Sequence, residues 1–242
     1  MDAAWIGLAG GVIGTLTSAV VAVRQSRASE RLALLNSELE RERDERRAHL
    51  DRDLRAEDVL SRYREPLAAA AFDLQSRCYN ILRLDFLGKF GDGHERHPDA
   101  LRTTVFRFAQ YFGWAEILRR DIQFLSFPEA EDTRRVAQLQ SAITRCVASS
   151  HEDAPLMIWA DEQRAIGERM IVHEHGQVLC MGYARFCDEY DARFAPLCTR
   201  LLDDLPDPRS AGRLRDVQHL LCDLVETLDP RRVRYTQDLE RA

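Results

Sequence analysis

Residues 4–23 carry no charged side chain, and nearly every position among them is apolar or small. At about 1.5 Å per residue, a helix of that length spans about 30 Å, the thickness of a bilayer's hydrocarbon core. The pattern then changes abruptly. From 24 to 62 the chain has ten arginines, ten acidic residues and neither proline nor glycine. Such a stretch predicts one long, charged helix. Glu42/Arg46, Arg47/Asp51, Asp51/Arg55 and Asp58/Arg62 lie four apart, where each ion pair adds about 0.2–0.5 kcal/mol.

Within that charged stretch a thin apolar seam persists. Ala28, Leu32, Leu35 and Leu39 make a short heptad run, and gaps of 3 and 4 residues continue it through Arg43 and Arg46 to Leu50 and Leu54. Leu32, Leu35, Leu39, Leu50 and Leu54 thus define a seam for packing against other copies. Two of its positions are arginine, so a solvated single helix is the competing reading.

Beyond residue 62 the period becomes that of ordinary amphipathic helices. Pro66 suits the first turn of a new helix, which runs on through Leu74 and Cys78 to Leu87. Gly88 to Pro98 reads as a loop. A second helix spans 99–125, and a third begins with Asp132 as N-cap and carries Val136, Leu139, Ile143 and Val147. A fourth covers 154–172, and a fifth covers 177–202 with a bend near Pro196. Leu214, Val217, Leu221, Leu224 and Leu228 mark a last helix that ends before Asp229-Pro230. The one competing β pattern pairs Met170–Val172 with Val178–Met181 as a small hairpin. The expected fold is therefore all-α: a single transmembrane helix over 1–23, a charged helical stalk over 24–62 with a coiled coil as one reading of it, and a helical bundle over 63–242.

Charge sets the expected orientation. Arg24, Arg27 and Arg31 follow the apolar segment while Asp2 precedes it, which puts the N-terminus outside and the body in the cytoplasm of a plasma or bacterial inner membrane. A cleaved signal peptide fits less well, because Met1, Asp2 and Ala3 supply no positive n-region. A buried soluble helix fits worst, since four glycines would each cost about 1 kcal/mol in an aqueous helix. Those glycines have a pattern of their own. Gly7, Gly10, Gly11, Gly14 and Ser18 fall within about one 100° arc, and two of the pairs are GxxxG. Small residues on one face let two helix backbones approach closely, so this stripe is a candidate self-association face.

Candidate chemistry is sparse. The net charge of −6 argues against a nucleic-acid binder, and the expected partners are the lipid bilayer, further copies of the chain and a protein partner. The six cysteines form no CxxC and sit among apolar neighbours, as reduced thiols do. Phe106, Phe108, Tyr111, Phe112 and Trp114 spread round nearly a whole helix and so predict core, with a ligand pocket as the alternative.

His173 and His175, near Cys180 and Cys187, are the only metal-like group; on a strand the two imidazoles would share one side, but on a helix they would point about 200° apart. His94 and His97 fall in the first loop, as surface residues. Glu116 and Asp121 flank Arg119 and Arg120, which suggests structural pairing. Ser149, Ser150, His151 and Asp153 are adjacent, but adjacency is not triad geometry. The glycines at 88–93 lack P-loop spacing. Arg231, Arg232 and Arg234 read as a solvated tail. No catalytic, cofactor or metal residue is assigned. The reading is a non-enzymatic membrane-anchored interaction protein, with a tethered enzyme or small-molecule sensor, its pocket in the bundle core, as the alternative.

Overall fold

The computed structural model describes the backbone of residues 3–122, 131–150, 155–174, 176–235 and 239–242. Within these, side chains are described from residue 35 onward except at 52, 53, 55–60, 122, 131 and 132. The chain divides into two compact units, Met1–Asp51 and Arg52–Ala242. Among the described residues it is mostly helical, as expected. Helix α1 is Ala3–Leu84, α2 Phe86–Lys89, α3 His97–Ile122, α4 Glu131–Ala148 and α5 Ala160–Met170. After the strands β1, Ile171–Glu174, and β2, Gln177–Cys180, come α6, Tyr183–Glu189, α7, Ala195–Asp204, and α8, Ala211–Leu228.

The first unit is helical throughout its described backbone. Among the described residues no helix is long and apolar enough to cross a membrane. The segment expected as the anchor, 4–23, lies outside the residues whose side chains are described.

The second unit departs from expectation first at Pro66, which lies inside α1 and starts no new helix. An interior proline removes one helical hydrogen bond and crowds the preceding turn, at a cost of about 3 kcal/mol. Burial of Tyr63, Leu67, Ala68, Ala70, Ala71, Leu74 and Cys78 on both sides of it opposes that cost. The Tyr63 hydroxyl also donates to Asp121 on α3 at 2.7 Å, which ties this part of α1 to its neighbour.

The second departure follows α5. The expected fourth helix is shorter than 154–172, and the fifth does not begin at Gln177. Residues 171–180 instead form the antiparallel hairpin, with Ile171 opposite Cys180 and Glu174 opposite Gln177. Gly176, at φ 75°, supplies the left-handed turn residue. The β-branched and apolar residues Ile171, Val172 and Val178 suit extended backbone, and the Met181 N–H donates to the Met170 carbonyl at 2.7 Å to close the hairpin's base. The bend expected near Pro196 is a π-helical turn, Tyr190–Phe194, leading into α7. Proline 196 has no N–H to continue the ladder, which accounts for the widened turn just before it.

The core is one cluster. The rings of Phe106, Phe186, Tyr190 and Phe194 pack edge to face or tilted at centroid distances of 4.6–5.4 Å. The apolar stripe of α8, Leu214, Val217, Leu221, Leu224, Val225 and Leu228, is buried on the face that the 3–4 spacing selected. The stripe of α4, Val136, Leu139, Ile143 and Val147, is buried likewise.

Candidate functional site

The stalk seam is where sequence and structure meet on a surface. Leu35, Leu39 and Leu50 in the first unit are 55%, 49% and 63% exposed, and Leu54, which opens the second, is 65% exposed. These four contrast with leucines 67, 74, 118, 139, 201, 214, 221 and 224 further along the chain, which are buried, though Leu84 at the end of α1 is also exposed. Gaps of four and eleven residues keep Leu35, Leu39 and Leu50 within about 60° of one another round the helix. Around them, the Glu42/Arg46 pair expected from spacing forms at 3.1 Å, with both side chains facing water, so it adds little stability. Gly7, Gly10, Gly11, Gly14, Ser18 and Leu32, the remaining self-association residues, lie outside the described side chains, as do Arg55 and Asp58.

In the body, the aromatic residues of α3 are core. Phe106, Phe108, Tyr111 and Phe112 are buried, Trp114 is half-buried against Tyr63, and burial pushes the Tyr111 hydroxyl above the ordinary tyrosine range. Glu116 on the same helix is 3% exposed and accepts from Arg119 at 2.6 and 2.7 Å and from Arg120 at 2.7 Å. Arg120 reaches on to Glu168 of α5 at 2.8 Å. Burial works to raise the Glu116 pKa, but the two guanidinium groups together outweigh it and hold the carboxyl below its usual range. This is the structural pairing expected of these residues.

Among the described residues, the histidines belong to no ligand set. His173 is exposed on β1, His175 lies outside the described residues, and the described residues contain no group of three or more potential metal ligands. His94 is exposed, whereas His97 begins α3 with Nδ1 at 2.6 Å from the Phe90 carbonyl and Nε2 at 3.1 Å from Asp92. Of the serine–histidine run, Ser149 offers its carbonyl to Arg213 at 2.7 Å, and residues 151–154 lie outside the described residues. The Gly88 stretch contributes to α2 and the turn after it. All six cysteines are free, and burial pushes the thiols of Cys78, Cys180 and Cys198 up to about 12 and that of Cys222 to about 11.

Two polar features escaped the sequence reading. Arg213 on α8 is buried and donates to three carbonyls, those of Val147 at 3.1 Å, Ser149 at 2.7 Å and Leu156 at 3.2 Å, and so caps the end of α4. Arg231, Arg232 and Arg234 are exposed, as expected of a solvated tail, but the backbone around them is pinned. The Asp229 carboxylate accepts the N–H groups of Val233, Arg234 and Tyr235 at 3.0–3.1 Å, Arg234 pairs with Glu65 at 2.9 Å, and Tyr235 stacks on Phe72 at 4.5 Å. No protein-family model, curated protein sequence or solved structure matches this chain.

Proposed function

We propose that this chain is a non-enzymatic, membrane-anchored interaction protein that self-associates through its N-terminal helix and docks a partner through its helical body. The observation that carries the reading is the run of exposed leucines on a helix otherwise dense in charge. An isolated apolar side chain in water is ordinary, but several repeated on one face mark a surface that gains by meeting its like. The apolar 4–23 segment supports the anchor, and its glycine stripe and the leucine seam both favour a parallel pair of copies. Tethering in one bilayer raises their effective concentration without any new contact. The arginines after residue 23 place the body on the cytoplasmic side.

The test is the mass of the detergent-solubilised protein. Replacing Gly7, Gly10, Gly11 and Gly14 with leucine keeps membrane insertion and lowers the oligomeric mass. An unchanged mass overturns the stripe, and recovery of the unaltered chain in the aqueous fraction after lysis overturns the anchor. Protease added outside intact cells leaves residues 63–242 uncut; their digestion overturns the orientation.

A further inference from the structure

The last described residues, Leu239–Ala242, are non-helical, with Glu240 and Arg241 exposed and Ala242 buried, and they hydrogen-bond to α1 and α8. Gln218, fully buried on α8, turns its carboxamide to the backbone of this segment. Its Nε2 donates to the Glu240 carbonyl at 2.8 Å, and its Oε1 accepts the Ala242 N–H at 3.2 Å. One side chain thus replaces a neighbouring β-strand, the way extended peptides are read through their main chain. Behind it, Gln75 on α1 supports the amide at 3.1 Å, and beside it His219 Nε2 lies 3.0 Å from the Ala242 oxygen.

The side chains are sorted as well. Leu239 packs on the core, and the methyl group of Ala242 is buried. The Glu240 carboxylate accepts from the Tyr79 hydroxyl on α1, close to Arg83. The Arg241 guanidinium reaches Asp223 at 2.7 Å, Glu226 at 3.3 Å and the His219 carbonyl at 3.2 Å, all on α8. One wall of the cleft is therefore phenolic and the other anionic, so the carboxylate and the guanidinium of the segment meet different groups.

We propose that the cleft between α1 and α8 is a peptide-docking site for a protein partner, reading an extended segment that carries a leucine, a carboxylate, a guanidinium and a small residue in that order. Leu239–Ala242 is its resident occupant, which the partner's segment displaces. When the segment leaves, the buried Gln218 Oε1 loses its donor while Nε2 keeps Gln75 at 3.1 Å, so an incoming strand that supplies a backbone N–H is favoured over water alone. The resident holds the advantage of attachment, since a tethered segment competes at a local concentration in the millimolar range.

The inference rests on the reading of this chain as an interaction protein, and the two are separable. Oligomeric mass tests the stalk, and peptide binding tests the cleft. The probe is a fluorescent peptide of sequence Gln-Asp-Leu-Glu-Arg-Ala, amidated so that no terminal charge takes part. Its anisotropy is titrated with the full chain and with the full chain carrying Glu240→Arg and Arg241→Glu, which opens the cleft. The opened chain binds the peptide at least about tenfold more tightly than the unaltered chain. A peptide with the two charges exchanged does not bind, and adding Gln218→Leu to the opened chain abolishes binding.

Equal binding of both peptides, or no binding to the opened chain, overturns the proposal. Thermal unfolding confirms that the opened chain is folded. If it is not, a chain ending at Gln237 is titrated in its place and read by the same criteria.

Discussion

Gly167 of α5 lies directly against the carbonyl of Phe112 on α3: a Cβ on Gly167 would stand 2.5 Å from that oxygen and 2.9 Å from the Glu116 Cβ. Gly113 belongs to the same crossing, where a Cβ would meet Cys180 Sγ at 2.7 Å and Met170 Cβ at 2.8 Å. Two glycines therefore let α3, α5 and the hairpin approach more closely than any side chain would permit. Gly167→Ala should destabilise the body by about 1–3 kcal/mol through overpacking. Because the 2.5 Å contact is with backbone, the cost falls at the upper end of that range and exceeds the roughly 1 kcal/mol that alanine returns in helix propensity. Urea unfolding measures the balance, and a variant as stable as the parent would show that the helices can part at no cost.

Much of this body was legible in the sequence, and the parts that were not share a cause. The stripes of α4 and α8 were readable because the 3–4 spacing of their leucines and valines depends only on which face is covered. Pro66 misled because local chemistry favours a helix start there, whereas Tyr63, Leu67 and Leu74 continue one buried face across it. The hairpin's strands are four residues each, too short for alternation to outweigh a helical reading. Gln218, Arg213 and the glycine pair gave no signal at all. Their roles depend on partners far away in sequence, such as Gln75 and Glu240 for Gln218 and Val147 for Arg213.

Glu116 makes stability depend on pH in a defined direction. Its carboxyl is held below the ordinary value of 4.5 by Arg119 and Arg120 against the opposing effect of burial. A carboxylate with a lowered folded pKa contributes stability that is fully present above the unfolded value and is lost as pH falls through the folded one. Glu116→Gln should cost about 1.5 kcal/mol at neutral pH, the low end for charge-assisted bonds because both guanidinium groups face water. The gap between the variant and the parent should narrow as the pH drops below 4.5. Unfolding free energies measured from pH 7 down to the acid limit would show this, and a gap that stayed constant would mean that the pair is energetically idle.

Arg213 holds the end of α4 by a different kind of contact. Its acceptors are the carbonyls of Val147, Ser149 and Leu156 rather than a carboxylate. Arg213→Met keeps much of the packing volume but removes one donor from each of the three carbonyls, of which Val147 keeps the Ile158 N–H at 3.1 Å, for a loss of about 1–3 kcal/mol. Hydrogen exchange should localise the effect to the C-terminal turn of α4, with α3 and α5 unaffected. Uniform loosening of the whole body would show that the capping role is wrong.

The leucine stripe makes the sharpest demand on the proposed function. Leu35, Leu39 and Leu50 are exposed, so changing all three to glutamine removes no contact within the chain. Surface changes of this kind alter folding stability by less than about 0.5 kcal/mol, and the body's unfolding midpoint should not move. Self-association is another matter. A coiled-coil interface buries each leucine of its seam, and removing an apolar side chain from such a seam sacrifices about 1.5–3 kcal/mol per site. Three sites per chain should lower the association constant by well over a thousandfold, enough to turn an oligomer into single chains in detergent. A triple variant that keeps both its mass and its stability would mean that the leucines face water for no reason connected with assembly.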